Sequence, residues 1–185
     1  MAEDYLKQVT VGEVEPLSGA IRLCPYDPRW PDQFRREAEK IRAALGDRAL
    51  AVEHVGSTSV PGLCAKPILD ILLLTADAGR EADYVPALTV AGYALRIREP
   101  DWFQHRMFRG TDPVVNLHVF SDGCPEAARM LAFRDWLRAC PADRDRYADE
   151  KRRLAARQWA YVQNYADAKT AVVREILERI RQAGL

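Results

Sequence analysis

The stretch that most limits what this chain can become is Ile68–Leu74, Ile-Leu-Asp-Ile-Leu-Leu-Leu. A short run that is apolar except for Asp70 matches a strand covered on both faces. An ionised carboxylate there is costly unless it is paired, hydrogen-bonded or turned toward a cleft, which marks Asp70 as a functional candidate. Just upstream, Ala49–Val55 reads as the first core strand and runs into Gly56-Ser57-Thr58-Ser59. Gly56 lets the backbone turn and lets a ligand come close. Ser57, Thr58 and Ser59 supply hydroxyls and successive backbone N–H groups, a combination suited to phosphate or another anion. Lys66 adds a positive charge shortly before the acid.

The rest of the chain supplies layers around that strand. Phe34, Ala38, Ile41 and Leu45 recur at helical spacing between Pro31 and Gly46, predicting an amphipathic helix over 31–45. Residues 1–19 read as an extended arm that packs on the body or on a partner chain, and Ile21–Leu23 as a short edge strand. Arg80–Ala91 reads as a helix ended by Gly92. Tyr93–Arg98 alternates as a half-buried strand with a basic face. Residues 103–109 and 114–120 form a hairpin across Gly110–Pro113, and everything from Pro125 onward is helical, interrupted at Pro141 and again over 154–161. The prediction is one domain over 20–185 of class α/β (α+β), a mixed β-sheet packed by helices with further helices at the C-terminus.

Lysine plus arginine equals aspartate plus glutamate, 27 each, so no global field draws the chain to nucleic acid or membrane. Cys24, Cys64, Cys124 and Cys140 are scattered without a Cys-x-x-Cys pair, which argues against structural zinc and for a reducing compartment. Residues 1–19 lack a basic start followed by an apolar run, and no apolar stretch nears the roughly 18 residues that span a bilayer. A cytoplasmic protein is expected. The Walker and dinucleotide fingerprints and Gly-x-Ser-x-Gly are absent from the sequence.

The run His54–Leu63 followed by Lys66–Asp70 resembles the hallmark of the GrpB family, close to His-Ile-Gly-Ser-Thr-Ser-Val-Pro-Gly-Leu…Lys-Pro-Ile-Ile-Asp. Pro25–Pro31, Asn116–Phe120, Phe133–Arg138 and Tyr165–Lys169 resemble the family as well, so the likeness runs over roughly residues 20–182. The resemblance implies a nucleotidyltransferase-like fold that binds a nucleotide or another phosphate-bearing small molecule. It also implies a divalent metal, magnesium or manganese ahead of zinc, held by carboxylates beside the phosphates. In that superfamily the acids form an Asp-x-Asp pair plus a third on a neighbouring strand. Here Ile68 and Leu72 flank Asp70, and the next strand offers His118 with Asn116 on the same face.

The expected catalytic set is Asp70, Glu53 and His118. The expected ligand set is Gly56, Ser57, Thr58, Ser59, Lys66, Arg106, Arg109 and Lys169. Asp70, His54 and His118 are the candidate metal ligands; the alternative for His54 is a structural histidine bonded to the turn. Arg109 reads as an anion partner or a surface charge, and Trp102 and Phe103 as base-stacking groups or a core cap. Tyr165 and Lys169 stand one turn apart on a helix, so Lys169 can reach back to the cleft. Two functions follow: a GrpB-like nucleotidyltransferase, or a non-catalytic ligand-binding or accessory folding module of the kind the family also supplies fused to dephospho-CoA kinases. A homodimer formed through the N-terminal arm is a further expectation, with no membrane or specific nucleic-acid partner.

Overall fold

The computed structural model describes residues 2–14, 16 and 20–184. Its centre is a five-stranded sheet: β1 (Ala51–Val55), β2 (Leu69–Thr75), β3 (Ala94–Glu99), β4 (His105–Thr111) and β5 (Val114–Ser121), in the order β1-β2-β5-β4-β3. Only the β2–β5 pair is parallel; β1–β2, β5–β4 and β4–β3 are antiparallel. The sheet is therefore mixed, and the run around Asp70 lies inside it, as the unbroken apolar pattern requires.

Strand alternation sends Leu69, Ile71 and Leu73 to one face, where they meet Trp30, Ala38, Ile41 and Leu45 of α2 (Trp30–Leu45) and Leu88 of α3 (Val85–Val90). Pro31 starts α2 and Gly46, at φ 57°, stops it. The other face carries Val55, Leu72 and Phe120 against Cys124, Ala127 and Met130 at the start of α4 (Pro125–Ala139). Beyond it α4, α5 (Pro141–Ala155) and α7 (Thr170–Gln182) enclose Val60 and Leu63, while α6 (Val162–Ala168) brings Tyr165 against Ile21 and Leu154. α4 thus covers only the Leu72 end of this face and leaves the Asp70 end facing the C-terminal helices.

Several local expectations change. The N-terminal segment is not an extended arm: Ala2–Val9 form a helix, α1, that docks on the edge strand β3. Leu6 and Val9 are buried there, the Val11 amide donates to the Arg96 carbonyl at 2.8 Å, and Tyr5 hydrogen-bonds Glu99. The part of the arm at residues 15 and 17–19 lies outside the described residues. Ile21–Leu23 form no strand; Ile21 and Leu23 pack on the C-terminal helices, and the sheet-like pairing beside them is one bridge between Cys24 and Ala65. The helix expected over 80–91 is a 3₁₀ turn at Glu81–Asp83 followed by the short α3, because Pro86 can stand only in the first turn. The hairpin of β4 and β5 forms as expected. Among the described residues, no helix is long and apolar enough to cross a membrane.

Candidate functional site

Asp70 pairs with Val55 on one side and Asn116 on the other, at the open end of the face that α4 half covers. Gly56 follows directly, with φ 67° and ψ −171°, a combination open almost only to glycine. A Cβ on Gly56 would lie 2.4 Å from Asp70 Oδ2 and 2.8 Å from Asp70 Cβ. Glycine is required twice over, for the conformation and for the space. The cleft beside this contact measures about 240 Å³ and is lined by Gly56, Ser57, Asp70, Arg129, Tyr147 and Lys169 among others.

Two chains of polar contacts leave the carboxylate. Asn116 Nδ2 donates to Asp70 Oδ1 at 2.9 Å, and Arg109 Nη1 donates to Asn116 Oδ1 at 2.6 Å. In the other direction His118 Nε2 stands 3.7 Å from Asp70 Oδ1. Its Nδ1 lies 3.1 Å from His105 Nε2, and His105 Nδ1 lies 2.5 Å from Glu99 Oε2, with Tyr5 closing the row. Burial raises the Glu99 carboxyl, but its bonds from His105 and Tyr5 hold it below the usual range; burial in turn lowers His105. An ionised Glu99 accepts from His105 Nδ1–H, so His105 Nε2 accepts from His118 Nδ1–H. That tautomer chain turns His118 Nε2 toward Asp70. Burial likewise raises Asp70, and His118, Asn116 and Lys66 together outweigh it and keep the carboxylate ionised.

Three lysines from separate segments converge on this acid. Lys66 comes from the loop before β2, Lys151 from α5, and Lys169 from the junction of α6 and α7. All three are shifted down by burial first, Lys66 and Lys151 also by Lys169, while Asp70 pulls each of them up. Lys151 is brought down to about 7. Lys66 and Lys169 sit over the Tyr165 ring, at 5.9 and 4.9 Å from its centre. Lys151 Nζ lies 2.7 Å from Ser57 Oγ and donates to the Cys64 carbonyl. Arg109 lies near enough to Lys66 to depress it further.

The structure thus brings together Gly56, Ser57, Lys66, Asp70, Arg109, His118 and Lys169, and it separates the others. His54 pairs with Ile71, not Asp70, so it points to the opposite face, stacked on Phe34 with ring centres 4.8 Å apart and 3.0 Å from the Thr58 hydroxyl. It is the structural histidine, neutral because burial lowers it to about 4. Thr58 is committed to His54, and Ser59 Oγ donates to the Gly56 carbonyl at 2.6 Å, so of the three hydroxyls only Ser57 faces the cleft. Arg106 pairs with Val119 on the far face and is buried against Glu81 at 2.6 Å, which Arg98 also binds. Glu53 shares the Asp70 face but sits opposite Leu72, held by Arg134 at 2.8 Å. Trp102 packs edge-on against His105 and Phe120, with Phe103 beside it on the surface.

A larger hollow of about 460 Å³ lies past β1, beside His54 and Phe34. Its arginines are already engaged: Arg134 by Glu53 and Asp135, Arg138 by the Ser59 carbonyl, Arg144 by Asp145.

Sequence reading missed Glu99, His105, Tyr147 and Lys151. Alternation along β4 offered a signal for His105, since it shares a face with Arg109 and not with Arg106. Nothing local marks Lys151, which helix packing alone brings to the turn. The donor set does not fit a resident metal pair: Asp70 is a single carboxylate, Asn116 already bonds it, His118 stands 3.7 Å away, and lysines ring it. Among the described residues, no group of three His, Cys, Asp or Glu side chains is arranged to hold a metal ion.

Comparison with known proteins agrees with this fold. The family model described as GrpB protein matches residues 20–179. A UPF0157 protein of Halalkalibacterium halodurans is 60% identical over 96% of this chain and 91% of its own length. A dephospho-CoA kinase of Mycolicibacterium paratuberculosis is 31% identical over 86% of this chain, which spans 46% of that protein. The crystal structure of conserved protein GrpB from Enterococcus faecalis superposes with a TM-score of 0.77 at 31% identity, over 89% of this chain and all of that one. The chain belongs to the GrpB family, UPF0157.

Proposed function

We propose that the cleft over Asp70 binds a phosphate-bearing small molecule, a nucleotide in the reading that the family resemblance favours, and transfers its phosphoryl or nucleotidyl group to a hydroxyl acceptor. One observation carries this reading: Lys66, Lys151, Lys169 and Arg109 gather around one ionised carboxylate, Lys169 and Arg109 depress Lys66, and Lys169 and Lys66 depress Lys151. Cations crowded closely enough to depress their neighbours outnumber the one carboxylate they share, which is the electrostatic condition for an anion. Lys66, Lys169 and Arg109 face the phosphates, and Asp70 with His118 Nε2 takes the acceptor proton, the imidazole oriented by His105 and Glu99. Lysines in this position do by fixed charge part of what a metal does in related chemistry. A magnesium or manganese ion carried in by the phosphates, rather than resident, is the alternative supply of that charge.

The test is a thermal-shift panel of nucleoside triphosphates and inorganic tripolyphosphate, each in EDTA and in magnesium or manganese. Ligand at about 100 times its Kd adds roughly 2.7 kcal/mol. A shift that persists in EDTA and vanishes in Lys169→Met supports the lysine site. A shift seen only with metal and lost in Asp70→Asn assigns the charge to a metal instead. No shift with any phosphate compound, from a well-folded protein, overturns the reading. The single carboxylate favours a second one, a binding or accessory module without turnover. A nucleotide that binds but is unchanged by prolonged incubation with acceptor alcohols supports that module.

A further inference from the structure

Ser57 stands apart from its neighbours in the turn. Thr58 and Ser59 spend their hydroxyls inside the fold, whereas Ser57 opens onto the cleft beside Asp70. Its Oγ meets a buried lysine at 2.7 Å, and Lys151 is only 3% exposed. The other partner of Lys151 is the Cys64 carbonyl, so the amine bonds a hydroxyl and a carbonyl rather than a carboxylate. Tyr147, one turn earlier on α5 and also buried, lies close enough for Ser57 to work against the burial that raises its phenol. A cleft-facing serine hydroxyl held by a desolvated amine has the layout of a nucleophile with its base.

We propose that Ser57 is a covalent nucleophile activated by Lys151, so that the group transferred from the bound phosphate compound passes through a Ser57 ester. This rests on the phosphate-binding reading above. In the first step the neutral Lys151 amine takes the Oγ proton as Oγ attacks phosphorus. The Oγ–P bond forms, the bond from phosphorus to the leaving oxygen breaks, and that oxygen departs with the electron pair toward Lys66 and Lys169. In the second step an acceptor hydroxyl attacks the same phosphorus and gives its proton to the Asp70–His118 pair. The P–Oγ bond breaks and Lys151 returns the proton to Ser57. Burial and the neighbouring Lys169 bring Lys151 to about 7, so a substantial share of it is free amine at neutral pH. Lys169 and Lys66 push it down, and Cys64 and Asp70 pull it up.

The test needs no native substrate. Full-length protein is treated with an alkyl fluorophosphonate, whose fluoride Ser57 Oγ displaces, and the adduct is followed by intact mass and peptide mapping. The expected result is one adduct on Ser57, absent in Ser57→Ala, whose rate climbs as pH passes about 7 and then levels as Lys151 becomes fully neutral. Lys151→Arg keeps the charge but cannot act as a base, and should slow labelling by about 100-fold or more. Lys151→Met should do the same. If both variants misfold, the site and pH profile of wild-type labelling decide alone. No adduct on Ser57, a rate flat through neutral pH, or a rate unchanged in a folded Lys151→Arg overturns the inference. Tripolyphosphate, followed by thermal shift in wild type and Ser57→Ala, reports on the phosphate reading separately. A shift without labelling overturns the nucleophile and leaves the anion site; labelling without a shift upholds the nucleophile and overturns the anion site.

Discussion

Gly56→Ala is the sharpest perturbation of the site that the structure offers. At φ 67° and ψ −171° alanine occupies a backbone region essentially reserved for glycine, which costs about 1–3 kcal/mol. The new Cβ also falls 2.8 Å from Asp70 Cβ, so rotating the carboxylate away from its 2.4 Å contact does not clear the collision. Backbone must move, at a further cost of about 1–3 kcal/mol. The sum, about 2–6 kcal/mol, is a large part of the 5–15 kcal/mol typical of a folded domain. With about 2–4 °C per kcal/mol for a chain of this size, the midpoint should fall by roughly 10 °C. Gly92→Ala is the control, since Gly92 also has positive φ, 91°, but nothing within 4 Å of its added Cβ. Thermal and urea unfolding by circular dichroism should show Gly56→Ala the less stable of the two by about 1–3 kcal/mol. Equal destabilisation would refute the close contact between the turn and Asp70, and with it the placement of Ser57 and Asp70 on one cleft.

The two arginines of β4 should behave oppositely, because they occupy opposite faces: Arg106→Met should cost stability on the order of 1–2 kcal/mol by removing its bond to Glu81, which keeps Arg98, without weakening tripolyphosphate binding, while Arg109→Met should weaken that binding. Binding lost in a folded Arg106→Met would show the faces to be misassigned. Lys151 keeps its proton to about 10.5 when unfolded and loses it near 7 when folded. The unfolded chain therefore binds more protons in between, and stability should rise with pH from about 7 upward by as much as about 1.4 kcal/mol per unit. Lys151→Met, melted from pH 6 to 9, should lose most of that slope, with Lys66 and Lys169 keeping a remainder of the same sign. His54 works at the acid end: it titrates near 6.5 unfolded and about 4 folded, so stability should fall as pH drops through that window, and less steeply in His54→Gln. An unchanged acid limb in that variant would remove the buried, neutral histidine from the account.

How far the sequence carried the fold and the site follows from which physical signal each part depends on. β2 and the Gly56 turn were legible because burial on both faces, an isolated acid and a turn residue are all local. α1 was not, since a helix of eight residues has little stability of its own and exists by docking Leu6 and Val9 against the body. The site failed by parity. His54 and Arg106 belong to correctly recognised strands, yet each stands one residue from the face that carries Asp70, and one residue reverses a side chain. The equal counts of acids and bases concealed the most informative feature, the cations around Asp70. On the helix surfaces Arg129 with Glu126, Arg153 with Glu150 and Arg181 with Glu178 neutralise each other at one-turn spacing. The lysines of the cleft instead bond a hydroxyl and a carbonyl and sit over aromatic rings, with Asp70 as the acid they share. Global neutrality and a concentrated local positive field are therefore compatible, and the field arises where tertiary packing, rather than any local pattern, gathers Lys66, Lys151 and Lys169.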